Sequence, residues 1–392
     1  MASFAGGCRT ERLPSLQDIV DALADDIGRP VSVEDHRFRL LAYSAQDATA
    51  DPVRLASILQ RQTAPEVAAW LRTLDLDRAA GLTRVPVNET LGMQARTCAP
   101  LRTGGRVHGY LWVLEGAGPL GAHEQEAVVG AARRLAEIVG EERLVADALA
   151  STRRDWLRRI AVAADTDAAE QLQASMGWPP SDGFAALLAR FPAGRTGDAL
   201  ARLLHEPDVV AVDHGADVLL LVRVTHARRP ATVGQALRRA GAELVAIGGT
   251  AELAGFPRSL EEAGHAMLVA RADERIGPVV EHARLGADAV VADLWTRAGR
   301  PPAPEPVARL ERERRGPELC RALEALLEYG MDVSAAATAL HVHRATLYRW
   351  IGRVEAATGL DLSRGDDRLL LHLALKVRRL SHAAAEGRNT KA

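Results

Sequence analysis

Residues 332–359 read DVSAAATALHVHRATLYRWIGRVEAATG, and no other stretch restricts the fold so tightly. An alanine-rich run, Val333 to Leu340, follows Asp332 and contains Ser334; either polar residue can cap a helix. Its small residues Ala336 and Ala337 let a second helix cross closely. His341 to His343 form a tight turn, with Val342 set to plug between the helices. A longer helix is predicted from about Arg344 to Thr358. At about 100° per residue, Leu347, Ile351 and Val354 share its inner face. Thr346, Arg349 and Arg353 fall within an arc of about 60° on the other side, flanked by Ala345 and Tyr348. Hydroxyl and guanidinium groups on such a face reach base edges and phosphates, and small neighbours permit close approach to a groove. An amphipathic helical hairpin with solvated arginines has the same pattern.

Charge supports the first reading. From His341 to Leu380 there are eight basic residues (Arg344, Arg349, Arg353, Arg364, Arg368, Lys376, Arg378, Arg379) and four acidic ones (Glu355, Asp361, Asp366, Asp367), a local balance of +4 in a chain of net charge −2. Arginine abundance alone carries nothing: only Lys376 and Lys391 among 49 basic residues are lysine, the bias of a GC-rich genome.

The longer stretch LHVHRATLYRWIGRVEAATGLDLSRGDDRLLLHLALKVRRL, some forty residues, resembles the C-terminal signature of the PucR/CdaR family of bacterial transcription regulators. It includes the unusual His-Val-His-Arg turn. Two departures stand out: Ala345 replaces the usual Asn, and Tyr348-Arg349-Trp350 reorders the usual Arg-Tyr-Arg, so base preference is not carried over. The resemblance implies a variable sensory domain, a degenerate GGDEF-like domain and a C-terminal helix-turn-helix, acting as a dimer or larger oligomer in response to a metabolite or signal. The expected DNA-binding residues are Thr346, Tyr348, Arg349 and Arg353, with His343 and Arg344 on phosphate. Trp350 is expected to pack, and Leu360, Leu362, Leu369, Leu373 and Leu375 to build the supporting core.

The rest of the chain fits that layout. LPSLQDIVDALADDIG is helical, with Leu16, Ile19, Val20 and Leu23 on one face. RPVSVEDHRFRLLAYS reads as two strands, and ARTCAPLRTGGRVHGYLWVLEG as a hairpin turning at Gly104-Gly105. Together they resemble a GAF-like sensor. From Ala122 to Ala164 a long helix carries a partial heptad: Val128, Leu135, Leu149 and Trp156 with Ala131, Ile138 and Val145. A parallel coiled coil and two shorter helices packing on their own domains are equally consistent with it. Further on, FAALLARF, PDVVAVD, ADVLLLVRV and ELVAIGG are strands; DALARLLHE, ATVGQALRRAG and SLEEAGHAMLVARAD are helices. The expected fold class is therefore multidomain α+β. A GAF-like α/β sensory domain over 14–146 ends in the long helix, and a degenerate GGDEF-like α/β domain covers 151–295. A proline-rich exposed linker covers 299–317, and an all-α helix-turn-helix domain covers 310–382.

Enzymatic chemistry finds little support. Asp213-His214-Gly215-Ala216-Asp217-Val218-Leu219 resembles a degraded GGDEF hairpin, with Ala216 at the second Gly and Val218 at the Glu. Valine cannot ligate the divalent metals that nucleotide cyclisation needs. Ile247-Gly248-Gly249-Thr250 lacks phosphate-loop spacing and is expected to be a plain turn. His341 and His343, at i and i+2, diverge and suit a turn better than a metal. Cys8, Cys98 and Cys320 are far apart, so a disulfide framework or structural zinc is not expected, and Cys98 reads as a buried core thiol.

The expected function is sequence-specific DNA binding under the control of a signal at the N-terminal domain. The alternatives are a dimeric scaffold that no longer binds DNA and a residual nucleotide-signalling enzyme. Expected partners are double-stranded DNA, a second copy in a homodimer or higher homo-oligomer, a small-molecule effector and RNA polymerase. No catalytic residue, metal, cofactor or membrane is expected. Met1 to Arg12 lacks a signal-peptide pattern and no apolar run reaches ~18 residues, so a cytoplasmic location is expected.

Overall fold

A computed structural model describes residues 14–45, 51–116, 118–192, 206–226 and 228–389. Most of the helix read in DALARLLHE lies outside the described residues, as does Cys8. The chain divides into two units, one ending at Ala150 and one beginning at Ser151.

In the N-terminal unit, α1 (Leu16–Ile27) starts at a reciprocal cap, where Ser15 accepts from the backbone of Asp18 and the Asp18 carboxylate accepts from that of Ser15. Five strands follow: β1 (Val31–Asp35), β2 (Leu40–Tyr43), β3 (Thr83–Val85), β4 (Arg96–Thr103) and β5 (Arg106–Leu114). They form one antiparallel sheet in the order β2-β1-β5-β4-β3. Between β2 and β3 the chain makes α2 (Pro52–Gln60) and α3 (Pro65–Arg72). Side chains alternate across a strand, so β5 sends Leu111 and Val113 to one face and Tyr110 and Trp112 to the other. The first face is an apolar core with Ile19, Val20 and Leu23 of α1. The second packs Phe38, Val67, Leu71 and Met93 around Tyr110 and Trp112. Cys98 is buried on that face, and burial pushes its thiol far up, so it is an inert core residue as expected.

The long helix is one element, α4 (Ala122–Ala163). Its heptad seam is divided. Val128, Ala131 and Leu135 are fully buried in the core beneath α1, while Trp156 packs partly buried against the core of the C-terminal unit, beside Leu157 and Ile160, which lie off the seam. Between them Val145 is 69% exposed and Leu149 39%. The ends of the seam therefore pack on their own domains.

The C-terminal unit continues with α5 (Thr166–Met176), capped by Asp165, then β6 (Gly183–Arg190), β7 (Val209–His214), β8 (Asp217–Val224), α6 (Pro230–Arg239), β9 (Leu244–Ala251), α7 (Phe256–Ala272), β10 (Val279–Glu281) and α8 (Ala287–Arg297). The sheet order is β10-β9-β6-β8-β7; β10 runs parallel to β9 and the other neighbours are antiparallel. Ile247-Gly248-Gly249-Thr250 is not a turn: all four residues lie within β9. The glycines serve close packing. A Cβ on Gly248 would sit 1.9 Å from the Ser259 carbonyl oxygen of α7. Ser259 Oγ donates to the Gly249 carbonyl at 2.5 Å and accepts from Ala186 N at 2.9 Å.

The stretch read as an exposed linker at 299–317 is partly helical. It contains α9 (Glu305–Arg312), whose Val307 and Leu310 are fully buried, and the start of α10 (Gly316–Glu328). Proline fits the first turn of a helix, where no backbone N–H partner is needed, so Pro306 and Pro317 mark helix starts. Then come α11 (Val333–Ala339), α12 (Arg344–Thr358) and α13 (Gly365–Asn389). Val377 and Leu380 of α13 pack on Val269 of α7 and on Val291, Ala292 and Trp295 of α8.

Candidate nucleic-acid interface

Asp332 starts α11 by accepting from the backbone N–H groups of Ser334 and Ala335, and Ala336 and Ala337 are buried against Leu347. His341 takes a left-handed φ of 55°, and Val342 closes the gap between the two helices. Leu347 and Val354 are buried, and Ile351 and Trp350 pack partly against the same cores. The inner face of α12 is therefore the one the spacing assigned.

His343 caps α12. Its Nδ1 accepts from Ala345 N at 3.2 Å. That contact puts the proton of the neutral ring on Nε2, and the exposed edge becomes a donor suited to a phosphate oxygen. Arg344 and Arg349 are exposed, and Arg349 Nη2 lies 3.4 Å from Thr346 Oγ1. Tyr348 is 61% exposed. All six expected residues thus lie on one helix or its cap, and none of them is buried.

Arg353 is set apart from them. Its Nη2 lies 3.2 Å from Glu313 Oε2, in the turn between α9 and α10. Nothing in the spacing of α12 signals that tie.

The cationic footprint is narrower than the count of +4 implies. Lys376 pairs with Asp288 at 2.7 Å, Arg378 with Glu311 and Arg379 with Asp273. These three bind α13 to its own chain. Arg368 donates to the carbonyls of Leu362 and Ser363. Arg344 and Arg349 have no carboxylate partner among the described residues. The supporting core also differs from expectation: Leu362 and Leu375 are buried, but Leu369 is 60% exposed and Leu373 also faces solvent. Leu371 and Ala374 fill the inner face of α13 instead.

In the β7–β8 hairpin, Gly215 takes φ 65° at the turn. Val218 is buried, and the Asp217 carboxylate is held by Arg190 through bonds of 2.8 and 3.0 Å. The only acid of the β8 half is thus committed to a structural ion pair.

Comparison with known families agrees with this architecture. Residues 319–377, from α10 into α13, match the PucR C-terminal helix-turn-helix domain. Residues 161–269 match the GGDEF-like domain. The chain thus carries a PucR-type helix-turn-helix domain and a GGDEF-like domain, two of the parts that the resemblance implied. Among curated PucR-type relatives, the carbohydrate diacid regulator of Escherichia coli is 40% identical over 72 residues, 18% of this chain and 19% of that protein. The DNA-binding transcriptional activator AdeR of Bacillus subtilis is 28% identical over 104 residues, 26% of this chain and 25% of that one. The chain thus spans a quarter or less of the length of these relatives. A crystal structure of a regulator of polyketide synthase expression from Bifidobacterium adolescentis is 21% identical and covers 58% of this chain and 98% of its own, with a TM-score of 0.32. An overlap that loose carries no argument about fold.

Proposed function

We propose that the chain is a sequence-specific DNA-binding transcription regulator whose α12 enters the major groove. One observation carries this reading. His343 Nε2, Arg344, Thr346 and Arg349 form a donor-rich face that no carboxylate among the described residues pairs, and Leu347 is buried against α11. A solvated hairpin has no need to leave that face clear while pairing the nearby cations. Arg349 and Thr346 are placed for base edges, and His343 and Arg344 for phosphate.

The N-terminal domain, a GAF-like sensor in this reading, receives the signal. A second copy meets the chain along the exposed Val145 and Leu149 of α4, so that two α12 helices address half-sites about 34 Å apart. The GGDEF-like domain is structural in this reading, because buried Val218 and committed Asp217 leave the β8 half of the hairpin without a carboxylate for a metal. A regulator of this kind works where chromosomal DNA is, in the cytoplasm.

The test is affinity selection of sheared genomic DNA by the purified chain at near-physiological salt. A few enriched sites of related sequence are expected. Uniform, salt-sensitive capture would overturn sequence-specific reading.

A further inference from the structure

The two faces of the N-terminal sheet are built differently. The face under α1 is an apolar core. The face under α2 buries Ser32, Glu34 and Arg96 from the strands. α2 itself is turned inside out. Arg54 and Ser57 point inward and Val53 is its one buried apolar side chain, while Leu59 is 85% exposed and Leu55 also faces solvent. A helix that only supported a core would present its leucines to the sheet.

Arg54 is the centre of this arrangement. It is only 3% exposed, yet only its Nη2 has acceptors: the Val31 and Ser44 carbonyls at 3.2 and 3.3 Å and Ser44 Oγ at 3.4 Å. Nε and Nη1 are buried and have no partner among the described residues. The Asp51 carboxylate, the nearest candidate, is engaged elsewhere. It accepts from Arg54 N, Gln94 N and Arg96 Nη2 at 2.7, 2.9 and 2.6 Å. The Glu34 carboxyl accepts from Thr63 Oγ1 at 2.7 Å and from Trp112 Nε1 at 3.0 Å. Burial raises Glu34 to about 7, so it is a weak counter-charge. The Asp51 carboxylate therefore answers Arg96 and two backbone groups and not the Arg54 side chain, and a buried charged group with unanswered donors is costly unless something completes it.

We propose that this cluster beneath α2 is the binding site for a small carboxylate-bearing molecule, one oxygen of which is held by a free donor of Arg54, Nε–H or Nη1–H, and whose charge neutralises the guanidinium. A carboxylate supplies a negative charge and an acceptor oxygen for one such charge-assisted bond. The thin apolar anchorage of α2 lets it yield to an incoming ligand with little loss of buried area. The proposal rests on the reading of the N-terminal domain as the signal-receiving part, and it names the chemistry received.

Calorimetric titration of the full chain with lactate, pyruvate and succinate tests it, with inorganic phosphate and glucose alongside. At least one carboxylate is expected to bind saturably, and Arg54→Gln should weaken it by at least about tenfold. Arg54→Lys, which keeps the charge but not the planar donors, should fall between and guards against a misfolded glutamine variant. DNA affinity, measured separately without ligand, should match wild type in both variants. That separates failure of this site from failure of the DNA-binding reading. No carboxylate binding up to about 10 mM, equal binding by Arg54→Gln, or a preference for phosphate would each overturn the proposal.

Discussion

Arg353 of α12 and Glu313 of the α9–α10 turn are joined by an ion pair of 3.2 Å, so the last cation on the outer face of the recognition helix is held by its own domain. Both side chains are about two-fifths exposed, which keeps the pair weak and exchangeable. Glu313→Gln should release Arg353 toward phosphate. Expected are a several-fold gain in DNA affinity and a salt dependence steeper by about one counterion. Unchanged affinity across a salt titration would show that Arg353 does not reach the DNA.

Arg349→Ala and Arg344→Ala separate reading from positioning. Loss of Arg349 should cost about 1–3 kcal/mol and relax preference at one base position. Loss of Arg344 should weaken all sequences evenly. Competition binding against a set of single-base operator variants distinguishes the two.

Gly248→Ala places a methyl group 1.9 Å from the Ser259 carbonyl, where only a backbone shift relieves the clash. The middle domain should lose a few kcal/mol of stability. Denaturant unfolding would show this as a lower midpoint. An unchanged midpoint would mean that α7 does not lie against β9 as described.

Glu34 gives a pH signature. Its folded value of about 7 lies above the usual 4.5, so burial favours the protonated form. The stability this contributes is full below about pH 4.5 and is lost as pH rises through about 7. On the order of 3 kcal/mol is at stake. His36 opposes it: burial lowers its value to about 4, so its contribution is lost as pH falls from about 6.5 toward 4. The informative quantity is the difference between wild type and Glu34→Gln. Wild type should lose melting temperature relative to the variant between about pH 5 and 8. Parallel curves would contradict the assignment.

The helix-turn-helix was legible because its inner face is set by spacing alone: Leu347, Ile351 and Val354 recur at helical intervals, and Ala336 and Ala337 are small where helices cross. Most strands were legible for a similar reason, with apolar runs closed by Gly104-Gly105 or by Gly215, but β3 and β10, three residues each, are too short to show a pattern and were missed. What escaped depends on partners distant in sequence. Glu313 lies forty residues before Arg353. α9 hides in a proline-rich stretch because only Val307 and Leu310 mark its face. Leu369 and Leu373 looked like core, but α13 turns Leu371 and Ala374 inward instead. The polarity beneath α2 was hidden because nothing in PVRLASILQ announces that its arginine, rather than its leucines, faces the sheet.

The anchoring of α13 on α7 and α8 bears on how the DNA-binding half should be handled. A fragment cut at residue 305 leaves Asp273 and Asp288 behind and strips Val377 and Leu380 of their cover. It frees Lys376, leaves Arg379 only its 4.0 Å pair with Glu324, and bares a greasy stripe on its longest helix. Such a fragment would cling to any polyanion and to itself, and its apparent avidity for DNA would be an artefact of excision.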